Sequence, residues 1–139
     1  MTNVVRIAQE ISMIMPRISL KIVADLFQII DIPHAQLFVL MMLFNEGPRR
    51  TCEIGRELKV SAPTVTGIVS RLEKARYVKR TSAKDDRRTV MVELTPKGRT
   101  IANKLRAAVV KRWAEILGKI PTRDAKNYLE ILRKIKEAL

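Results

Sequence analysis

Cysteine and histidine are almost missing from this chain: Cys52 and His34 stand alone among 139 residues. One thiol excludes an internal disulfide framework and any multi-thiolate zinc site, and one imidazole adds little to a metal centre, so no metal or cofactor is expected. A lone cysteine also fits a reducing compartment. Aromatic residues are scarce, at three Phe, two Tyr and one Trp, too few to line a stacking platform for single-stranded nucleic acid. No glycine-rich loop could cradle a phosphate, and no nucleophile and base can be paired around a single histidine, so the sequence does not read as an enzyme. Nor is there an uninterrupted apolar run of about 18–20 residues that could span a membrane. The opening MTNVVRIAQEISMIMPR lacks the basic, apolar, small order of a signal peptide, so the expected location is cytoplasmic.

What is abundant is positive charge. Lys and Arg number 27 against 14 Asp and Glu, a formal charge of +13. Such an excess repels itself in a compact monomer and attracts a polyanion, which makes nucleic acid the first partner to consider. With so few aromatics, duplex DNA fits better than a single strand. The length allows one domain with a real core and not two independent ones. The sequence shows no internal repeat, no low-complexity stretch and no dividing linker.

Hydrophobic periodicity predicts a mainly helical chain. From Val4 to Ile30 the residues Ile7, Ile11, Ile14, Ile18, Ile22 and Leu26 recur every three or four positions, the spacing of a helix with one apolar stripe. Pro16 is expected to kink or divide it. A second helix is predicted from Asp31 or Ile32 to Asn45, with Pro33 in its first turn and Gly47-Pro48 as its stop. It is apolar on nearly every side, which predicts a central position. Thr51 is the expected cap of a short third helix, TCEIGRELK, followed by a tight turn at Lys59-Val60. Ser61 should cap a fourth helix, with Pro63 in its first turn, that ends near Ala75-Arg76. Two short helices joined this way are a helix-turn-helix signature. Residues 77–81 and 89–94 then read as strands flanking a polar turn over residues 83–88, a candidate wing. Thr95-Pro96 starts a fifth helix to about Leu117, and Pro121-Thr122 starts a sixth.

Charge and motif coincide. Residues 49–99 hold 14 Lys or Arg against six Asp or Glu, a higher density than in the rest of the chain. On the fourth helix, 100° per residue gathers Val65, Ile68, Val69 and Leu72 on one face and leaves Pro63, Gly67, Ser70 and Lys74 opposite, with Thr64, Thr66 and Arg71 on the flanks. That outer face is small and hydrogen-bonding. A helix entering a major groove about 12 Å wide needs such a face, because bulky side chains would hold its backbone away from the base edges. Gly67 costs about 1 kcal/mol relative to Ala in mid-helix, so close approach to a groove is one reason to keep it; packing against a neighbouring helix is the other. At the hairpin tip, Arg87 and Arg88 beside Asp85 and Asp86 could present a guanidinium, held by a carboxylate, to a minor groove or a phosphate. The alternative is an ordinary solvated turn.

In order, these segments resemble the MarR family of regulators: Gln36 in the apolar second helix, SAPTVTGIVSRLEKARYVKR, and DDRRTVMVELTPKGR. The resemblance implies a fold that is mainly α with a small β-hairpin wing, a winged helix-turn-helix with N- and C-terminal dimerisation helices. Residues 1–30 and 96–139 would carry the dimer contacts and residues 31–95 the DNA-binding lobe. It also implies a homodimeric, sequence-specific duplex-DNA-binding transcriptional regulator, a repressor by expectation, with half-sites about one helical turn apart. By carry-over Arg88 would enter the minor groove with Asp86 orienting it, and Pro63, Thr64, Thr66, Ser70 and Arg71 would lie in or beside the major groove, joined by Ser61, Gly67, Lys74 and Arg87. Ala75-Arg76-Tyr77 stands where the family usually has a glycine, so either the helix exit is shaped differently or Arg76 takes an unusual backbone conformation. Many relatives sense small aromatic anions or oxidants. Here His34 and Cys52 are the candidate sensor residues, each weighed against a plain packing role: a satisfied surface imidazole for His34 and a buried thiol for Cys52. Trp113 and Tyr128 read as dimer core. Two other functions compete, a duplex-coating protein without sequence preference and a winged-helix module that binds protein.

Overall fold

The computed structural model describes residues 2–139. The elements run α1 (Asn3–Phe27), α2 (His34–Glu46), β1 (Arg49–Arg50), α3 (Thr51–Leu58), α4 (Ala62–Lys74), β2 (Val78–Ser82), β3 (Val90–Leu94), α5 (Pro96–Leu117) and α6 (Thr122–Ala138). The architecture is the expected one, mainly helical with a β-hairpin wing. By its contacts the chain falls into two compact units, residues 29–106 and residues 2–28 with 107–139.

In the unit of residues 29–106, the buried side chains come from every element that has an apolar face. Leu37, Val39, Leu40 and Leu43 of α2 are buried, as are Ile54 of α3, Val65, Ile68, Val69 and Leu72 of α4, and Leu105 of α5. Three antiparallel strands lie in the order β1-β3-β2. The hairpin register pairs Val78 with Leu94 and Ser82 with Val90. Val92 and Leu94 are buried whereas Val90 is exposed, so the period-2 alternation of β3 turns one face to the core and frays at the wing. Burial of α2 is less complete than its composition suggests, for Phe38 is 54% exposed.

Several boundaries differ from expectation for identifiable reasons. Pro16 lies inside α1 without dividing it. Pro33 is the N-cap of α2 and not part of its first turn: its ψ of 150° is extended, so the helix begins one residue later. Thr51 is the first residue of α3, and Arg50 is its N-cap. The main-chain N–H of Arg50 donates to the Glu53 carboxylate at 3.0 Å, which satisfies a donor that the helix leaves unpaired. Arg50 also belongs to β1, two residues that pair with Val92 and Met91. Two residues carry no periodicity, and this strand is absent from the sequence reading.

In the unit of residues 2–28 and 107–139, the Arg112 guanidinium grips Asp25 through Nε at 2.6 Å and Nη2 at 2.8 Å. This fork joins α1 to the C-terminal part of α5. The Trp113 and Tyr128 rings meet at 5.9 Å between centroids, joining α5 to α6. Large apolar side chains remain open to solvent on both terminal helices, among them Ile7, Ile11 and Ile14 on α1 and Leu129, Leu132 and Ile135 on α6.

Candidate nucleic-acid interface

The fourth helix is built to be stable at its entrance and bare along its outer face. Ser61 caps it, its hydroxyl accepting from the Thr64 N–H at 3.4 Å and lying 2.9 Å from the Thr64 hydroxyl. Pro63, Thr64, Thr66, Ser70, Arg71 and Lys74 are exposed, and Gly67 is half-buried. A Cβ placed on Gly67 would meet only the Arg71 Nη1, at 3.7 Å. No neighbouring helix therefore explains this glycine by packing.

At the end of α4, Arg76 takes a left-handed conformation with φ of 67°. Of the two alternatives left open by the missing glycine, the unusual Arg76 conformation is the one found. The turn is held from several sides: Arg76 N–H donates to Glu73 O at 2.9 Å, Tyr77 N–H to Leu72 O at 3.0 Å, and the Thr95 hydroxyl to Arg76 O. Lys97 Nζ donates to Ala75 O at 3.0 Å and stands 5.0 Å from the Tyr77 ring centroid, placing a cation at the negative end of the α4 dipole. Gly98 is required here by close approach, since a Cβ would fall 1.9 Å from Tyr77 O.

The wing turn over residues 83–88 is organised by Asp86. Its carboxylate accepts from the Arg88 main-chain N–H at 2.9 Å and from the Thr89 hydroxyl at 3.3 Å. Asp86 thus shapes the backbone under Arg88, which corrects the expectation of a guanidinium held by a carboxylate: the short side chain closes on the nearer main-chain N–H, and the side chains of Arg87 and Arg88 are exposed. Asp85 pairs instead with Arg50 at 2.9 Å, which ties the turn to β1.

Two basic residues with roles in this surface were not singled out by the sequence. Arg50 is one, through its cap and its wing contact. Arg80 on β2 is the other: it reaches α4 at Glu73, Thr66 and Ser70. A signal existed, because period-2 alternation puts residue 80 on the same side of the strand as the buried Val78, and an inward arginine needs acceptors.

Of the two sensor candidates, His34 is exposed, with its ring stacked on Phe38 at 6.4 Å. Cys52 is exposed, which corrects the expectation of a buried thiol. The cause lies in the register of α3, where Ile54 and Leu58 take the inner face and residue 52 turns outward beside Arg56, whose Nη2 is 4.0 Å from Sγ. Among the described residues no helix is long and apolar enough to cross a membrane.

Comparison with known proteins agrees with this fold. The MarR family model matches residues 32–90. The regulator YfiV of Bacillus subtilis is 38% identical over 72 residues, which are 52% of this chain and 45% of that protein. The chain therefore spans less than half the length of that relative's matched protein. FarR, a helix-turn-helix transcriptional regulator of Neisseria gonorrhoeae, is 30% identical over 112 residues, covering 78% of this chain and 77% of FarR. The crystal structure of the transcriptional regulator Tm0710 from Thermotoga maritima superposes with a TM-score of 0.64 at 30% identity, over 96% of this chain and 91% of that one. NadR in complex with 4-hydroxyphenylacetate shares the fold at 24% identity and a TM-score of 0.71, over 90% and 89% of the two chains. With a recognition-type helix, a basic wing and these relatives together, the chain belongs to the MarR family of helix-turn-helix transcriptional regulators.

Proposed function

We propose that this DNA-binding transcription regulator works as a homodimer on pseudo-palindromic duplex sites, most simply as a repressor. Residues 31–95 form the lobe that meets DNA, and residues 1–30 and 96–139 hold the two copies together. The outer face of α4 enters the major groove, with Thr64, Thr66, Gly67 and Ser70 near base edges and Ser61, Arg71 and Lys74 at the backbone. Arg87 and Arg88 reach the adjacent minor groove or its phosphates from a turn set by Asp86. The observation that carries this reading is the bare, hydrogen-bonding face of α4, with nothing packed over Gly67.

Homodimerisation is supported by the apolar stripes left open on α1 and α6, more greasy surface than a lone subunit ordinarily shows. The same reading places the protein in the cytoplasm, where its DNA is, and gives it no catalytic activity. A small aromatic anion is the effector class we assign, by analogy with the fold shared with the NadR complex.

The test is selection of bound sequences from a random duplex library, then titration of the winner against scrambled DNA at about 0.15 M salt. A pseudo-palindrome bound at least about 10³-fold more tightly is the expected result. Tight binding with no preferred site would favour a duplex-coating protein, which the +13 charge could also serve, and no duplex binding would favour a protein-interaction module.

A further inference from the structure

The side chain of Arg80 forms a bridge from the wing to the recognition helix. Its Nη1 lies 2.7 Å from Glu73 Oε1, and its main-chain N–H lies 3.4 Å from Glu73 Oε2. Its Nη2 lies 3.0 Å from Ser70 Oγ and 3.3 Å from Thr66 O. A guanidinium has five N–H donors and no acceptor, so at this contact Ser70 Oγ can only accept. A serine inside a helix commonly donates its own hydroxyl hydrogen to the carbonyl four residues back. For Ser70 that carbonyl is Thr66 O, the same atom that Arg80 engages.

We infer that Arg80 is a positioning residue that sets Ser70 as an outward hydrogen-bond donor, so that α4 prefers a base presenting an acceptor at the place Ser70 reaches. The inference rests on the reading of α4 as the helix that enters the major groove. One nitrogen of Arg80 engages both ends of the hydroxyl's alternative bond: it takes one of the two lone pairs of Oγ and competes for Thr66 O. The hydroxyl hydrogen is left to point away from the helix. Facing a groove, it can meet guanine O6 or N7, adenine N7 or thymine O4, whereas an amino group of adenine or cytosine would have only the one lone pair of Oγ that Arg80 leaves. Glu73 anchors the guanidinium from the other side, so the arrangement does not depend on DNA being present.

The experiment compares base preferences, by library selection on the full chain, for the wild type, Ser70→Ala, Arg80→Met, Arg80→Lys and the Arg80→Met/Ser70→Ala double variant, with thermal melts of each. Ser70→Ala identifies the base pair that Ser70 reads. The wild type is expected to favour an acceptor-presenting base there, and Arg80→Met to lose about 3- to 10-fold of that preference, with no further loss in the double variant. Arg80→Lys keeps the charge but lacks the fork, so it loses the same preference while holding overall affinity; it decides the matter if Arg80→Met does not fold. A uniform loss across all sequences with the preference intact overturns the inference, as does a change confined to other base pairs or no change in Ser70→Ala. A wild type that selects no sequence at all overturns the prior reading of α4 instead.

Discussion

Two residues of the recognition helix and its exit are held in forms that cost stability. Gly67 has an open flank, and replacing it with Ala should raise the unfolding free energy by about 1 kcal/mol while weakening binding to the preferred site by about 1–2 kcal/mol. Denaturant unfolding and duplex titration of the same preparation check both signs; a variant with unaltered binding removes the close-approach role. Arg76 sits at φ of 67°, where a side chain costs about 1–2 kcal/mol that glycine does not. Part of the gain from Arg76→Gly is lost to the freer unfolded chain, so the melting free energy should rise by about 0.5–1 kcal/mol. This strain was legible in the sequence because a known turn lacked its usual glycine. The exposure of Cys52 was not, since apolar character alone cannot say to which side of a short helix a thiol turns.

At the scale of elements, the helices were readable wherever a cap or a period announced them. Ser61 with Pro63 and Thr95 with Pro96 fixed the starts of α4 and α5, because each supplies a side-chain acceptor for the orphan N–H groups and a pre-set φ. Where the start depended on proline alone, the boundary slipped: Pro33 is outside α2. Strand β1 left no trace, as its two arginines owe their place to pairing with β3 and not to local preference. The wing was visible as a polar gap between two β-branched runs, and the resemblance pointed to Asp86 beneath Arg88, but not to bonds through the Arg88 main-chain N–H and the Thr89 hydroxyl. For the wing, Arg88→Ala should weaken binding across all duplex sequences and reduce the magnitude of the slope of log K against log salt by about 1. Titrations at several salt concentrations measure this, and an unchanged slope and affinity would remove Arg88 from the interface.

For the molecule as a whole, the Asp25–Arg112 fork in the unit of residues 2–28 and 107–139 sets a pH dependence. The Arg112 guanidinium holds the Asp25 carboxyl below its ordinary value of 3.8, chiefly by hydrogen bonding. A depressed folded-state pKa adds stability that is present above the unfolded value and lost as pH falls through the folded one. Asp25→Asn should therefore be less stable than the wild type near neutral pH, and the gap should close as pH drops below 3.8; a gap that persists in acid would mean that the pair contributes by shape and not by charge. The global charge was fully legible, and so was its concentration in the middle of the chain. What remained hidden was that some of those charges are already engaged, because Arg50, Arg80 and Lys97 each bond to acceptors of the protein itself. The wing shows what such internal engagement does. With Asp86 closing the turn beneath Arg88 and Asp85 linked to Arg50, the tip in the proposed complex would reach the duplex with its backbone already ordered. Little conformational entropy is then left to lose on docking, and the release of counterions from the phosphates can appear in a calorimeter as an entropy-driven association.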